Sequence, residues 1–191
     1  MLQTPIPIEE APAGFEYYPE IITATESDFL MEQLMRLEFV SHAMRGRTTK
    51  RKMHCFGWNY ESNRRTLSRA ADQIPDWLIF LRDRCAAVAG AEVGDFQQAI
   101  VTLYDRKDAG IGPHTDAPAF GPILLGVSLL SAAEMIFERD NIRCDITLEP
   151  RSLYVMKDEA RYQWKHAICR TLNPPRMSVV FRSVTMISIG S

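Results

Sequence analysis

The sequence predicts an α+β fold, with helices in its first half and a jelly-roll-like β core in its second. Three observations lead there. Two stretches before residue 95 carry apolar residues at helical spacing. From Phe96 onward the texture changes to short apolar runs separated by turn residues. No helical stretch is expected between those runs, which favours a sandwich or barrel over an alternating βαβ sheet. At 191 residues a single domain is expected over 1–191. An N-terminal extension reaches about residue 95, and the strand core runs from about 96 to 188.

Residues 1–20 read as a loose arm. Thr25 then offers an N-cap with Asp28 three residues on, a variant of the capping box. Phe29, Leu30, Leu34 and Leu37 follow at helical spacing, so a helix is expected over roughly 26–37. A second helix starts near Pro75, a residue suited to a first turn. It carries Trp77, Leu81, Cys85 and Val88 on one face and stops at Gly90. The expected strands are 97–104, 112–116, 123–130, 134–138, 142–148, 152–156, 161–168 and 176–187. Asp108-Ala109-Gly110, Asp140-Asn141 and Asn173-Pro174-Pro175 separate them.

Composition bounds the function. A hydrophobic share of 46% and a charged share of 24% fit an ordinary globular chain. The formal charge of -2 excludes a globally basic nucleic-acid coat and leaves room for a local basic patch. Cys55, Cys85, Cys144 and Cys169 form no CxxC pair, which is poor for structural zinc and fits reduced thiols. No secretory leader or apolar membrane span is visible. The expectation is a monomeric cytoplasmic protein with no membrane partner.

One local patch stands out. Five of the eight residues 45–52 are basic, Lys50, Arg51 and Lys52 consecutively. His54, Phe56, Trp58 and Tyr60 follow at alternate positions, which a strand would place on one face. Cations beside rings suit single-stranded or flipped nucleotides. The competing reading is a solvated basic loop beside the buried face of a sheet.

The chemistry-bearing residues lie further on. In Gly112-Pro113-His114-Thr115-Asp116 an imidazole and a carboxylate point to the same side of an extended chain. His166 follows 50 residues later. Two histidines and one carboxylate form the facial triad of non-heme Fe(II) oxygenases, which leaves coordination positions open for a 2-oxo acid and dioxygen. His-x-Asp also arises by chance, so the triad alone does not decide the matter. Arg176 and Arg182 share one face of the last strand, as anchors for a dicarboxylate would, since Arg grips carboxylates bidentately. A half-exposed strand would show the same alternation. Thr102 and Tyr104 share a face of the strand leading toward His114, where a phenol can bond a carboxylate or pack in the core.

Together these residues resemble the AlkB-type 2-oxoglutarate dioxygenases. The resemblance runs from about Ile100 to Val184, through Tyr104, Ile111-Gly112-Pro113-His114-Thr115-Asp116 and Val127-Ser128-Leu129-Leu130. It continues through Arg151 to Met156, Ala160-Arg161-Tyr162, Trp164, His166 and Arg176 to Arg182. Upstream, Phe56-Gly57-Trp58-Asn59-Tyr60 resembles the aromatic segment that many members place at a nucleotide lid. The resemblance implies a double-stranded β-helix with His114, Asp116 and His166 as Fe(II) ligands. It implies that Tyr104, Arg176 and Ser178 hold 2-oxoglutarate, Thr102 beside them, with Arg176 on the distal carboxylate and Arg182 toward the iron. Thr102 stands where members often have Asn, and Ser178 and Val180 where they have Asn and Thr; Val180 cannot donate a hydrogen bond.

The activity implied is oxidation of an N-methyl group on DNA or RNA, with 2-oxoglutarate and O2 consumed and succinate, CO2 and formaldehyde released. Lys50, Arg51, Lys52, Trp58 and Tyr60 are the expected substrate contacts, with Arg47 to Lys52 as a mobile basic hairpin over the site and Trp58 or Tyr60 near the pocket mouth. The alternative is an oxygenase of the same type acting on a protein or another substrate. A catalytically idle jelly-roll and a zinc hydrolase rank lower, since neither needs both arginines.

Overall fold

A computed structural model describes residues 3–9, 11–44, 47–61 and 64–185. Two antiparallel sheets face each other, as the jelly-roll expectation requires. The larger contains β1 (Phe15–Tyr18), β2 (Val40–Met44), β3 (Arg47–Phe56), β6 (Gln98–Tyr104), β8 (Phe120–Leu129), β11 (Leu153–Met156) and β13 (Arg176–Val184). Its order is β1-β11-β8-β13-β6-β3-β2. The smaller contains β7 (Ile111–His114), β9 (Ala133–Arg139), β10 (Ile142–Leu148) and β12 (Lys165–Thr171), in the order β10-β9-β12-β7. A two-stranded hairpin, β4 (Trp58–Glu61) with β5 (Thr66–Arg69), stands apart. This is a double-stranded β-helix.

Strand parity sorts the large sheet into two chemistries. The odd-numbered Ala99, Val101, Met177, Val179 and Phe181 pack against helices α1 (Ala24–Leu34) and α2 (Asp76–Val88). The even-numbered Tyr104, Leu124, Tyr154 and Met156 join Phe137, Ile146 and Ile168 of the smaller sheet in a second core. A one-residue slip would exchange the two faces, so this double burial pins the register.

Several local expectations are corrected: Phe15–Tyr18 of the expected loose arm form β1 against β11, and the strand expected over 112–116 is β7, Ile111–His114. Helix α1 begins at Ala24 and is capped by Thr23, not Thr25. Thr23 Oγ1 accepts from the Glu26 amide at 3.2 Å, and the Glu26 carboxylate accepts from the Thr23 amide at 2.8 Å. Glu26 has the methylene that Asp28 lacks for the return bond. The helix ends at Leu34, and Leu37 packs beyond it. Residues 158–162 form a short helix, α3 (Asp158–Tyr162), so the strand expected from 161 begins at Lys165.

The four rings do not share one strand. Gly57 turns the chain with φ +76, and a Cβ there would collide with the Gln97 carbonyl. His54 and Phe56 therefore lie on the helix side of β3, Phe56 meeting Trp77 edge-on at 6.1 Å. Trp58 and Tyr60 belong to the separate hairpin. The expected basic hairpin is β2–β3; Arg45 and Gly46 at its tip lie outside the described residues. Its second strand pairs with β6 from Lys52 to Phe56 and is part of the large sheet. Among the described residues no helix is long and apolar enough to cross a membrane.

Candidate metal centre and cosubstrate pocket

The smaller sheet brings the two histidines together. His114 ends β7 and is the direct cross-strand partner of His166 on β12, with ring centroids 4.4 Å apart. Asp116 follows two residues past β7, and its Oδ2 lies 3.3 Å from His166 Nε2. One ligand atom from each of the three residues falls within 4.8 Å of the others. Two donors about 2 Å from a common ion are at most about 4 Å apart, so the three side chains need only draw together slightly to share one.

The protonation states suit a metal. His114 Nδ1 donates to the Gly112 carbonyl at 2.9 Å, which leaves the Nε2 lone pair free. Burial, with the neighbouring His166, holds the His114 pKa below its ordinary value and favours the neutral ligand form. Burial pushes the Asp116 carboxyl up, but His166, Arg182 and His114 outweigh it and hold the group well below the usual carboxylate range. Arg182 Nη1 donates to Asp116 Oδ1 at 2.9 Å.

The expected cosubstrate residues lie on the face of the large sheet turned toward the smaller one. Thr102, Tyr104, Arg176, Ser178 and Arg182 occupy even positions of β6 and β13 and are buried. Arg176 is 1% exposed, and its Nε and Nη1 have no hydrogen-bond partner. A buried guanidinium with idle donors is costly unless an anion joins it. A carboxylate with two oxygens matches those donors. The donor set fits Fe(II), and the cationic pocket fits 2-oxoglutarate.

Against this geometry the comparisons are unambiguous. The family model described as the 2OG-Fe(II) oxygenase superfamily matches residues 14–183. The chain belongs to that superfamily. Within it the chain is AlkB-like. It is 22% identical over 176 residues to "Probable RNA/DNA demethylase ALKBH6" of Danio rerio, covering 84% of this chain and 71% of that protein. It is 39% identical over 83 residues to "Uncharacterized protein L905" of Acanthamoeba polyphaga mimivirus, covering 41% and 37% of the two. The fold matches OsALKBH1 at a TM-score of 0.67 and 17% identity, over 93% of this chain and 100% of that one. It also matches a Trichoplax adhaerens prolyl hydroxylase at 0.64 and 11%, over 90% and 84%. This oxygenase accordingly uses Fe(II) and 2-oxoglutarate, with O2 as second cosubstrate.

The expected substrate residues are placed unequally. Lys50 pairs with Asp108 at 2.5 Å and Lys52 with Asp105 at 2.8 Å, both on the surface. Arg51 points the other way and is 7% exposed, with Nη1 donating to the Gly110 carbonyl at 3.1 Å. It lines a groove of about 350 Å³ with Gly110, Gly112 and Cys169. Trp58 is buried, with the Arg69 guanidinium 4.1 Å above its ring. Tyr60 is half-buried against Phe120, ring centroids 5.4 Å apart.

The sequence pattern gave no role to three residues that the structure places at the site. Arg161, 1% exposed, donates to the carbonyls of Asp116, Ala117, Phe120 and Gly121 and so fixes the backbone behind the Asp116 carboxylate. Periodicity cannot reveal this, because the contacts are to backbone. Tyr154 lies over Gly126, where any Cβ would strike its ring; a glycine inside an apolar strand was the available signal. Gln98 is fully buried at the start of β6 beside Arg182.

Proposed function

We propose that this oxygenase is an oxidative demethylase of N-alkylated nucleic acid. His114, Asp116 and His166 hold the iron. Arg176 takes the distal carboxylate of 2-oxoglutarate, helped by Tyr104, Thr102 and Ser178, while Arg182 serves the iron end through Asp116. Bound Fe(II) and 2-oxoglutarate together supply the oxidation of the substrate methyl group, with succinate, CO2 and formaldehyde as products. The chain's residues orient the substrate and exclude water.

The observation that carries the nucleic-acid reading is the position of the β4–β5 hairpin. Trp58 and Leu67 pack with Ala119 and Phe120, three and four residues after Asp116. Tyr60 packs on Phe120, whose ring lies under the Arg182 guanidinium that bonds Asp116, and so offers a ring of the kind a flipped base requires. Lys50 and Lys52 lie on surface ion pairs of the kind worth about 0–1 kcal/mol, which a phosphate can replace. The relative named as a probable RNA/DNA demethylase points the same way.

The test is formaldehyde and succinate release against N-methylated DNA, tRNA and peptide. Methylated nucleic acid is expected to raise both products in equal amounts. Stoichiometric oxidation of a peptide, with none on any oligonucleotide, would move the function to a protein substrate.

A further inference from the structure

We propose that Gln98 is a positioning residue for Asp116, and that it ties the aim of that carboxylate to the β4–β5 hairpin. Gln98 has 0% exposure, and its side-chain amide is used at both ends. Nε2 donates to the Trp58 carbonyl at 2.6 Å, and Oε1 accepts from Arg182 Nε at 2.8 Å. A guanidinium only donates and a carbonyl only accepts, so these two partners dictate which way the amide faces.

The arrangement continues to the metal ligand. Gln98 and Arg182 are direct cross-strand partners on β6 and β13. The Arg182 guanidinium lies 3.8 Å over the Phe120 ring and gives Nη1 to Asp116 Oδ1 at 2.9 Å. With Oδ1 occupied, Oδ2 is the oxygen turned toward His166. Arg182 thus selects which carboxylate oxygen faces the ligand cluster, and Gln98 sets where Arg182 can reach.

The far end of Gln98 is the first residue of the hairpin. Trp58 is also held by Arg69 and by the small core that includes Phe120. A shift of this hairpin therefore acts on Asp116 along Trp58–Gln98–Arg182. Energetic coupling between two places is reciprocal. Metal binding should consequently steady the hairpin, and hairpin contacts should tune metal affinity.

The inference rests on Asp116 being a metal ligand, so the experiment tests that separately. Co(II) is titrated anaerobically into wild type, Asp116→Ala, Gln98→Leu and Gln98→Glu, with its visible spectrum and affinity read out. Hydrogen exchange of residues 58–69 is followed with and without Co(II). Gln98→Leu is expected to lose about tenfold to a hundredfold in Co(II) affinity, as losses of outer partners do. Its Co(II) spectrum should change, and Co(II) should no longer protect 58–69. Gln98→Glu keeps an acceptor that Arg182 holds ionised, but it loses the donor to Trp58. Its Co(II) affinity should stay within a few-fold of wild type while protection of 58–69 disappears. It decides the matter if the leucine variant does not fold.

Wild-type affinity and spectrum in Gln98→Leu, or undiminished protection of 58–69 in either variant, would overturn the proposal. Equal Co(II) binding by wild type and Asp116→Ala would instead overturn the ligand assignment.

Discussion

The Arg176 guanidinium carbon lies 4.9 Å from the centroid of the Tyr104 ring, its direct partner across β6 and β13. The ring leaves the Nε and Nη1 donors of Arg176 without a hydrogen-bond acceptor. The pair has the chemistry of a carboxylate receptor, and its members can be tested one by one.

Replacing Arg176 by Ala should weaken 2-oxoglutarate binding at least about thirtyfold, about 2 kcal/mol, the low end for truncating a buried charge pair. Co(II) affinity should stay near wild type, because Arg176 touches none of the three ligands. Calorimetric titration of Co(II) into the metal-free protein, and then of 2-oxoglutarate into the Co(II)-loaded protein, measures the two effects. An unchanged cosubstrate affinity would remove Arg176 from the site.

Metal addition should raise stability through the same three ligands. At a free ion concentration a hundredfold above Kd the gain is about 2.7 kcal/mol. Thermal unfolding with and without Mn(II) reads this as a rise in Tm. His166→Ala should abolish the rise, since its imidazole is buried next to Asp116. Persistence of the full shift in that variant would place the ion elsewhere.

These two predictions draw on what the sequence made legible. Strand alternation fixes directions of side chains within one strand, so the buried face of β13 could be read in advance; His-x-Asp spacing singled out two members of the cluster, although Asp116 lies past the end of β7. The boundary of the ring-bearing strand could not. It depends on the close approach of Gly57 to the Gln97 carbonyl, a contact between distant segments. The split of the basic run was hidden for a similar reason. Parity sends Arg51 inward beside Gly110 and sends Lys50 and Lys52 outward to Asp108 and Asp105, but only once β3 is known to pair with β6.

Arg161→Met should destabilise the fold by about 3 kcal/mol or more. It strips a charged donor from four carbonyls of the 116–121 loop, and each bond to a charged group contributes about 1.5–3 kcal/mol. Urea unfolding of the metal-free protein checks this. A loss under about 1 kcal/mol would mean that water replaces the guanidinium readily.

Acid should weaken the contact between α1 and α2. The Arg84 guanidinium, against the cost of burial and with help from Thr23, holds the Glu26 carboxyl down at about 2 from an ordinary 4.5. A depressed folded pKa gives stability that is present above the unfolded value and fades as pH falls through the folded one. The window is therefore from about pH 4.5 down to about pH 2. Half-exposed partners and salt screening keep the amount modest. Glu26→Gln should flatten the stability curve in that window, as measured by urea unfolding at a series of pH values. An identical curve in the variant would put the acid sensitivity elsewhere.

The basic strand carries the riskiest prediction. If Lys50 and Lys52 exchange Asp108 and Asp105 for phosphates, each contributes one contact to nucleic-acid binding. Neutralising both to Gln should lower the slope of log affinity against log salt by about 1.4 to 1.8, at 0.7–0.9 per contact. The loss should be similar for every sequence tested, because phosphate contacts carry no base information. Adding Arg51→Gln should cost more than a third such contact, since it also frees the Gly110 carbonyl four residues before His114. Cosubstrate turnover without substrate separates the two effects. It should be unchanged in the double variant and fall in the triple one. Wild-type binding and demethylation by the double variant would show that these lysines only clasp the 105–110 loop, and the protein-substrate reading would then move ahead.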